Sequence, residues 1–366
     1  MKVIFYIGHH KVGSTALQTF LALNWRRLAR HGILYPAIET RGFAANLARA
    51  LGRPGQGVEQ EVNVREPHSA LAYKMMAEVS DRKVPPQFKR LPSSPQMMLA
   101  LQNQVRLIQP EAVILCSEAF ANFGQVRPEL IATLAGQFPE AEIEIYCALR
   151  RPDDYLVSWH GQRLKVGEQV AALSDGGAEA YADNIHFNFR TVVEPWLQQL
   201  PQARLILRPY GEILAAGGST EDFMAQISVP APEGLVPAGH ANSSLPRAAM
   251  EIVRRGNHDL PREAAQALSH YLLTQGAALK PVANGDVEMF GAELRARLAE
   301  RFAPIHDYLS GLLGRPFFAD IDRLTRTLPV PEAEAVRDLL ARIPSEALPR
   351  PELGDYILRL RKEHAI

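Results

Sequence analysis

Four short runs of branched and aromatic apolar residues punctuate the chain, at Val3–Ile7, Ala112–Cys116, Glu142–Leu149 and Arg204–Leu207. Each is too short for a helix and is predicted as a buried strand. Between them the apolar positions recur at helical spacing. Ser14–His31 carries Leu17, Phe20, Leu21 and Leu28 on one stripe and meets Gly32 as a stop signal. Further helices are predicted over Pro92–Leu107, Arg127–Gln137, Asp153–Leu164, Phe187–Leu200 and Thr220–Ile227. Strands that alternate with helices imply a parallel sheet covered on both faces. The expected fold is therefore a three-layer α/β sandwich with a central, mostly parallel sheet.

Two stretches depart from this rhythm. Residues 37–92 are rich in Gly, Pro and charge, and read as a long insertion or lid, partly helical around Ser69–Val79. After Val236 no strand is apparent. Leu245–Arg255, Arg262–Gln275, Gly291–Leu313 and Glu332–Ile343 read instead as amphipathic helices separated by prolines, so residues 237–366 are expected to form a helical cap on a single domain spanning 1–366.

Composition narrows the function classes. The 366 residues hold 40 Lys plus Arg against 40 Asp plus Glu, a net charge of zero. A duplex nucleic-acid binder would show a basic excess, so nucleic acid is not an expected partner. Cys116 and Cys147 both lie in apolar runs, where buried strand thiols are expected and a disulfide framework is not. No apolar stretch approaches the roughly 20 residues of a membrane span. The opening MKVIFYIGHHK reads as a first strand and not as a signal peptide, so a soluble cytoplasmic protein is expected.

The densest chemistry lies in IFYIGHHKVGSTALQTFL. A strand ends at Ile7, Gly8 opens a tight loop, Gly13 lets the backbone turn, and Ser14 and Thr15 begin a helix. Such a loop aims backbone N–H groups and a helix N-terminus at one point, which is an anion site. Lys11 adds a mobile cation and the two hydroxyls add donors. A nucleoside-triphosphatase loop needs Lys directly after the second Gly. Here Lys11 precedes Gly13 by two residues and Ser14 fills the lysine position.

Lys11, Gly13, Ser14 and Thr15 instead match K-x-G-[ST]-[ST]. This segment resembles the 5′-phosphosulfate loop of sulfotransferases that use 3′-phosphoadenylyl sulfate (PAPS). The resemblance extends to EIEIYCALRRPDDYLVSWHGQRLK, where Arg150, Pro152 and Ser158 fall at the spacing of that family's 3′-phosphate site. An Arg ending the strand would fork onto a phosphate, and a Ser two turns into the next helix would donate beside it. Arg151 is expected to point to solvent. ALNWRRLARHGILYP, ARLILRPYGEIL with DFMAQISV, and HANSSLPRAAMEIVRRGN are similar to further segments of bacterial members. The Arg-Lys-Gly loop that closes over PAPS in cytosolic eukaryotic members has no match; Arg254-Arg255-Gly256 reads as a solvated helix end.

The resemblance implies metal-free, in-line transfer of a sulfuryl group from PAPS to a hydroxyl or amine. The acceptor would be a small molecule, lipid or carbohydrate. Lys11 would neutralise the leaving phosphate. A general base is needed near the sulfur. Glu118, at the end of the second long strand, is the first candidate and His68, in the insertion, the second. His9, His10 and His160 read as binding or packing residues. Trp159, Phe187 and Phe189 read as core rather than an acceptor wall. The rival readings are an ATP-dependent P-loop kinase or phosphotransferase, and a sulfotransferase-like binding protein without a working base.

Overall fold

Three of the four expected strands lie side by side at the centre of one sheet. A computed structural model of the chain, describing residues 1–53, 62–239 and 244–366, contains β1 (Lys2–Tyr6), β2 (Ile33–Leu34), β3 (Ala112–Cys116), β4 (Glu142–Leu149) and β5 (Arg204–Pro209). All pairs are parallel and the order is β2-β3-β1-β4-β5. The fold is α/β. Burial on both sides explains the unbroken apolar character of β1 and β3, which alternating strands would not show. Both cysteines are buried and free.

The chain divides into two compact units, Met1–Arg150 with Asn188–His240, and Arg151–Phe187 with Ala241–Ile366. The sheet belongs to the first. The second holds Pro152–Lys165 and the long tail helices Arg247–Asp259, Arg262–Gln275, Ala292–Leu313, Glu332–Arg342 and Pro351–Glu363. Two short strands missed in the sequence, Val287–Glu288 and Val330–Pro331, pair in this tail. They are too short to carry an alternating pattern, and what fixes them is Glu288. Its carboxylate accepts from the amides of Phe290, Gly291 and Leu328 and from the Arg295 guanidinium.

The first helix is shorter than its apolar stripe predicts. It breaks into α1 (Ser14–Leu23) and α2 (Trp25–Arg30) at Asn24. The Asn24 side chain donates to Phe20 O and Val236 O, and accepts from Val236 N. A short amide that bonds nearby backbone competes with the helix ladder, and here it wins. Residues 37–92 also differ from expectation. Besides Pro67–Val79 they form α3 (Thr40–Ala50) and a turn of helix at Val62–Arg65, so more than half of the segment's described residues are helical. Residues 54–61 of it, and 240–243 of the HANSSLPRAAM segment, lie outside the described residues.

Candidate functional site

The sheet order makes the carboxyl end of β1 a switch point. The chain leaves β1 for β2 and β3 on one side, then crosses to β4 and β5 on the other. Parallel sheets bind ligands at such a point, because the loops on either side diverge and open a crevice. The strand ends are level: Ile7 N donates to Tyr146 O at 2.9 Å, His9 N to Ala148 O at 2.9 Å and Ser117 N to Tyr6 O at 3.2 Å. The segments that follow β1, β3 and β4 therefore start together, and they carry Lys11, Glu118 and Arg150.

The β1–α1 loop needs its glycines. A Cβ at residue 8 would lie 2.9 Å from both Ala148 N and the Tyr6 hydroxyl. Gly13 has φ 85°, and a Cβ there would fall 1.8 Å from Ser219 Oγ. Ser219 begins the helix Ser219–Gln226 and donates to Val12 O at 2.9 Å, so this helix braces the loop. Behind it, Asp222 accepts from the Tyr146 hydroxyl (2.6 Å) and from Arg208 (2.6 and 3.0 Å), which ties the brace to β4 and β5. Lys11 itself sits at φ 61°, left-handed space that a non-glycine residue enters at a cost.

The Gly13 carbonyl caps the amides of Ala16 and Leu17. The earlier first-turn amides, on Ser14 and Thr15, precede the intrahelical ladder, and no side chain caps this helix. Helix polarity and the Lys11 charge thus act at one end of α1.

Glu118 faces this loop. Its carboxylate accepts from Gln18 Nε2 at 3.3 Å and lies 3.7 Å from His10 Nδ1. Burial pushes its pKa above the ordinary carboxylate range, while its own amide, the Ser14 hydroxyl, Gln18 and the Lys11 charge pull it back. His10 is depressed to about 4, first by burial and then by Lys11, so it stands neutral at physiological pH and its contact with Glu118 is not an ion pair there. Gln18 also donates to Ser69 Oγ and Cys116 O at 3.0 and 3.1 Å.

His68 is placed differently. It is fully buried; Nδ1 accepts from Cys116 N at 3.1 Å and the ring packs edge-on against Tyr35. Burial drives its pKa down to about 3, against the opposing pull of the Pro36 carbonyl. It anchors the end of β3. His9 is buried too, against Phe189 at 4.3 Å.

Arg150 follows β4. Its guanidinium lies over the Tyr210 ring, 5.5 Å from the centroid, with a long 3.5 Å contact to Lys11 O. Among the described residues it forms no ion pair. Ser158 stands on the helix Pro152–Lys165 and belongs to the second unit. Arg151 overturns the expectation of a solvated side chain. It is buried and paired with Asp153 at 2.7 Å, Asp154 at 3.2 Å and Asp320. Arg254 and Arg255 are likewise paired, with Glu251 and Glu363, not free at a helix end. Phe187 and Phe189 are core, as expected, while Trp159 stacks on His186 at 4.1 Å.

Sequence reasoning missed Gln18, Ser219 and Tyr210. The signal for Gln18 was present: a polar residue on the buried stripe of α1, four positions after Ser14. A cavity of about 690 Å³ lies at the opposite, amino ends of the strands. Of its charged lining, Glu144 is paired with Arg204 and Lys2 bonds Ser228. Among the described residues no cluster of His, Cys, Asp or Glu is arranged to hold a metal ion. Compared with known proteins, the chain matches no family model, no curated protein and no solved structure.

Proposed function

We propose that this protein transfers a sulfuryl group from PAPS to a hydroxyl or amine of a small-molecule, lipid or carbohydrate acceptor. One observation carries the reading: the β1–α1 loop with Lys11, Ser14 and the α1 N-terminus faces the Glu118 carboxylate within one unit. An anion cradle and a carboxyl group of raised pKa are the two parts that such a transfer requires. Gly8 and Gly13 let the loop pack tightly against β4 and Ser219, and among the described residues Arg150 is a guanidinium without a carboxylate partner. These residues fit a nucleotide with two separate phosphate groups.

In this reading the acceptor oxygen attacks sulfur, the bond from sulfur to the phosphate oxygen breaks, and its electron pair leaves with the phosphate. Lys11 and the amides of Ser14 and Thr15 neutralise that charge. Glu118 takes the acceptor proton. His68 is the weaker choice for the base, because its Nδ1 is occupied by the Cys116 amide and its ring is enclosed. Arg150 holds the second phosphate; Ser158, which the sequence spacing implied beside it, belongs to the other unit.

ATP chemistry would want a lysine where Ser14 stands. Calorimetric titration with adenosine 3′,5′-bisphosphate in the absence of metal tests the proposal against that rival. Binding tighter than about 100 μM is expected. No heat with the bisphosphate, or tighter binding of ATP with Mg²⁺, would overturn it. Bisphosphate binding without sulfuryl transfer to any acceptor in a broad screen would favour the binding-protein reading.

A further inference from the structure

The zero net charge conceals a strongly cationic segment. Between Leu23 and Arg53 the chain carries six arginines, no lysine and one carboxylate, Glu39. In the same segment α3 buries Gly42 and Asn46 and turns outward Phe43, Leu47 and, just past its end, Leu51, a row at helical spacing. Leu47 is 45% exposed and Leu51 67%. Leu23, at the end of α1, is also exposed. The α1–α2 corner adjoins α3: the Trp25 ring meets Phe43 edge-on at 6.3 Å, and Arg49 donates to Ala22 O at 2.9 Å. Arg26 and Arg30 on α2 and Arg41 on α3 are exposed.

We propose that this face, α3 with the α1–α2 corner, docks on an anionic phospholipid bilayer. An apolar row flanked by cations is what a helix lying in the plane of a membrane interface requires: the leucines enter the acyl boundary and the cations meet headgroup phosphates. Arginine suits that role better than lysine, since its planar fork pairs with phosphate oxygens two at a time and it is less tightly hydrated. A second copy of the same face would set arginines against arginines, which disfavours self-association here. Free phosphate would satisfy the arginines and leave Leu47 and Leu51 in water. No helix among the described residues is long and apolar enough to cross a membrane, so contact would be peripheral.

Full-length protein is sedimented with vesicles of phosphatidylcholine alone or mixed with phosphatidylglycerol. Binding only to the mixed vesicles is expected, weakened about fivefold by R26Q and again by R30Q. L47E and L51E, at exposed positions that should leave the melting temperature unchanged, should abolish it. L51Q provides a neutral control and should weaken it less. Failure to bind mixed vesicles would overturn the proposal. So would binding indifferent to L47E and L51E, release by inorganic phosphate at constant ionic strength, or a dimer in gel filtration that L47E dissociates. None of these readouts depends on sulfuryl transfer.

Discussion

Gln18 Nε2 donates to the Glu118 carboxylate at 3.3 Å, from a position one helical turn beyond Ser14. Ser14 and Gln18 share a face of α1 and both pull the Glu118 pKa down against burial, which pushes it up. Replacing Gln18 by Leu removes one of the groups that favour the charged form, so the Glu118 midpoint should rise further. If Glu118 is the base, the acid limb of the pH–rate profile moves to higher pH in Q18L, and turnover above that limb changes less. An unmoved limb would remove Glu118 from the role.

The same raised pKa sets a stability trade. The folded state holds the Glu118 proton more tightly than the unfolded chain does, so this group's contribution is greatest at low pH. It falls as pH rises from the ordinary carboxylate value through the raised one. Glu118→Gln keeps the shape and removes the buried charge. The variant should melt about one to two degrees higher than wild type at pH 8, for a gain on the order of 1 kcal/mol, with a smaller gain at pH 4. Calorimetric scans at the two pH values measure this. Turnover should be lost in the same protein.

Gly13→Ala meets two penalties that can be separated. Its φ of 85° strains any side chain, and the new Cβ would overlap Ser219 Oγ at 1.8 Å. A loss of roughly 2 kcal/mol or more is expected, with bisphosphate binding impaired. Adding Ser219→Gly relieves the overlap but not the backbone strain. The double variant should therefore recover part of the melting temperature and little of the binding, because the brace to Val12 O is gone as well.

The strands, the loop glycines and Lys11 were legible because each rests on local chemistry: an apolar run, a tight turn, a helix start. Asn24 was not, since its break depends on Val236, over two hundred residues away. The helix α3 was hidden by Gly42, Gly52 and Pro54, which resemble loop punctuation although Phe43, Leu47 and Leu51 keep helical spacing. Arg151 shows the same limit. Its burial depends on Asp320, which no local pattern links to it. Glu118 was found by its place at a strand end; Gln18 stands out as a polar residue on the buried stripe of α1, but its pairing with Glu118 depends on α1 lying against the end of β3.

Lys11 and Arg150 should fail differently. Lys11 sits on the loop that faces Glu118, whereas Arg150, just past β4, lies over Tyr210 at the start of the helix after β5. Lys11→Ala should cut turnover far more than bisphosphate affinity. Arg150→Ala should weaken the bisphosphate about tenfold to a hundredfold, the range of a charge-assisted hydrogen bond, with less effect on turnover at saturation. Arg150→Lys should rescue poorly, because an ammonium lacks the planar fork that meets a phosphate with two hydrogen bonds. Equal losses of both quantities in both alanine variants would refute the division of roles.

In the second unit, acid lability should track Glu288. Burial raises this carboxyl, but the amides of Leu328, Phe290 and Gly291 and the Arg295 guanidinium outweigh it, so the pKa lies below the ordinary value. A lowered folded pKa means stability that is present above the unfolded value and lost as pH falls through the folded one. Wild type should therefore lose melting temperature steeply below about pH 4.5. Glu288→Gln keeps some of the amide bonds, lowers stability at neutral pH by leaving Arg295 without its nearer carboxylate, and should flatten that acid limb. Parallel melting curves between pH 3 and 7 decide the matter; an equally steep limb in the variant would mean that other carboxylates carry the acid sensitivity.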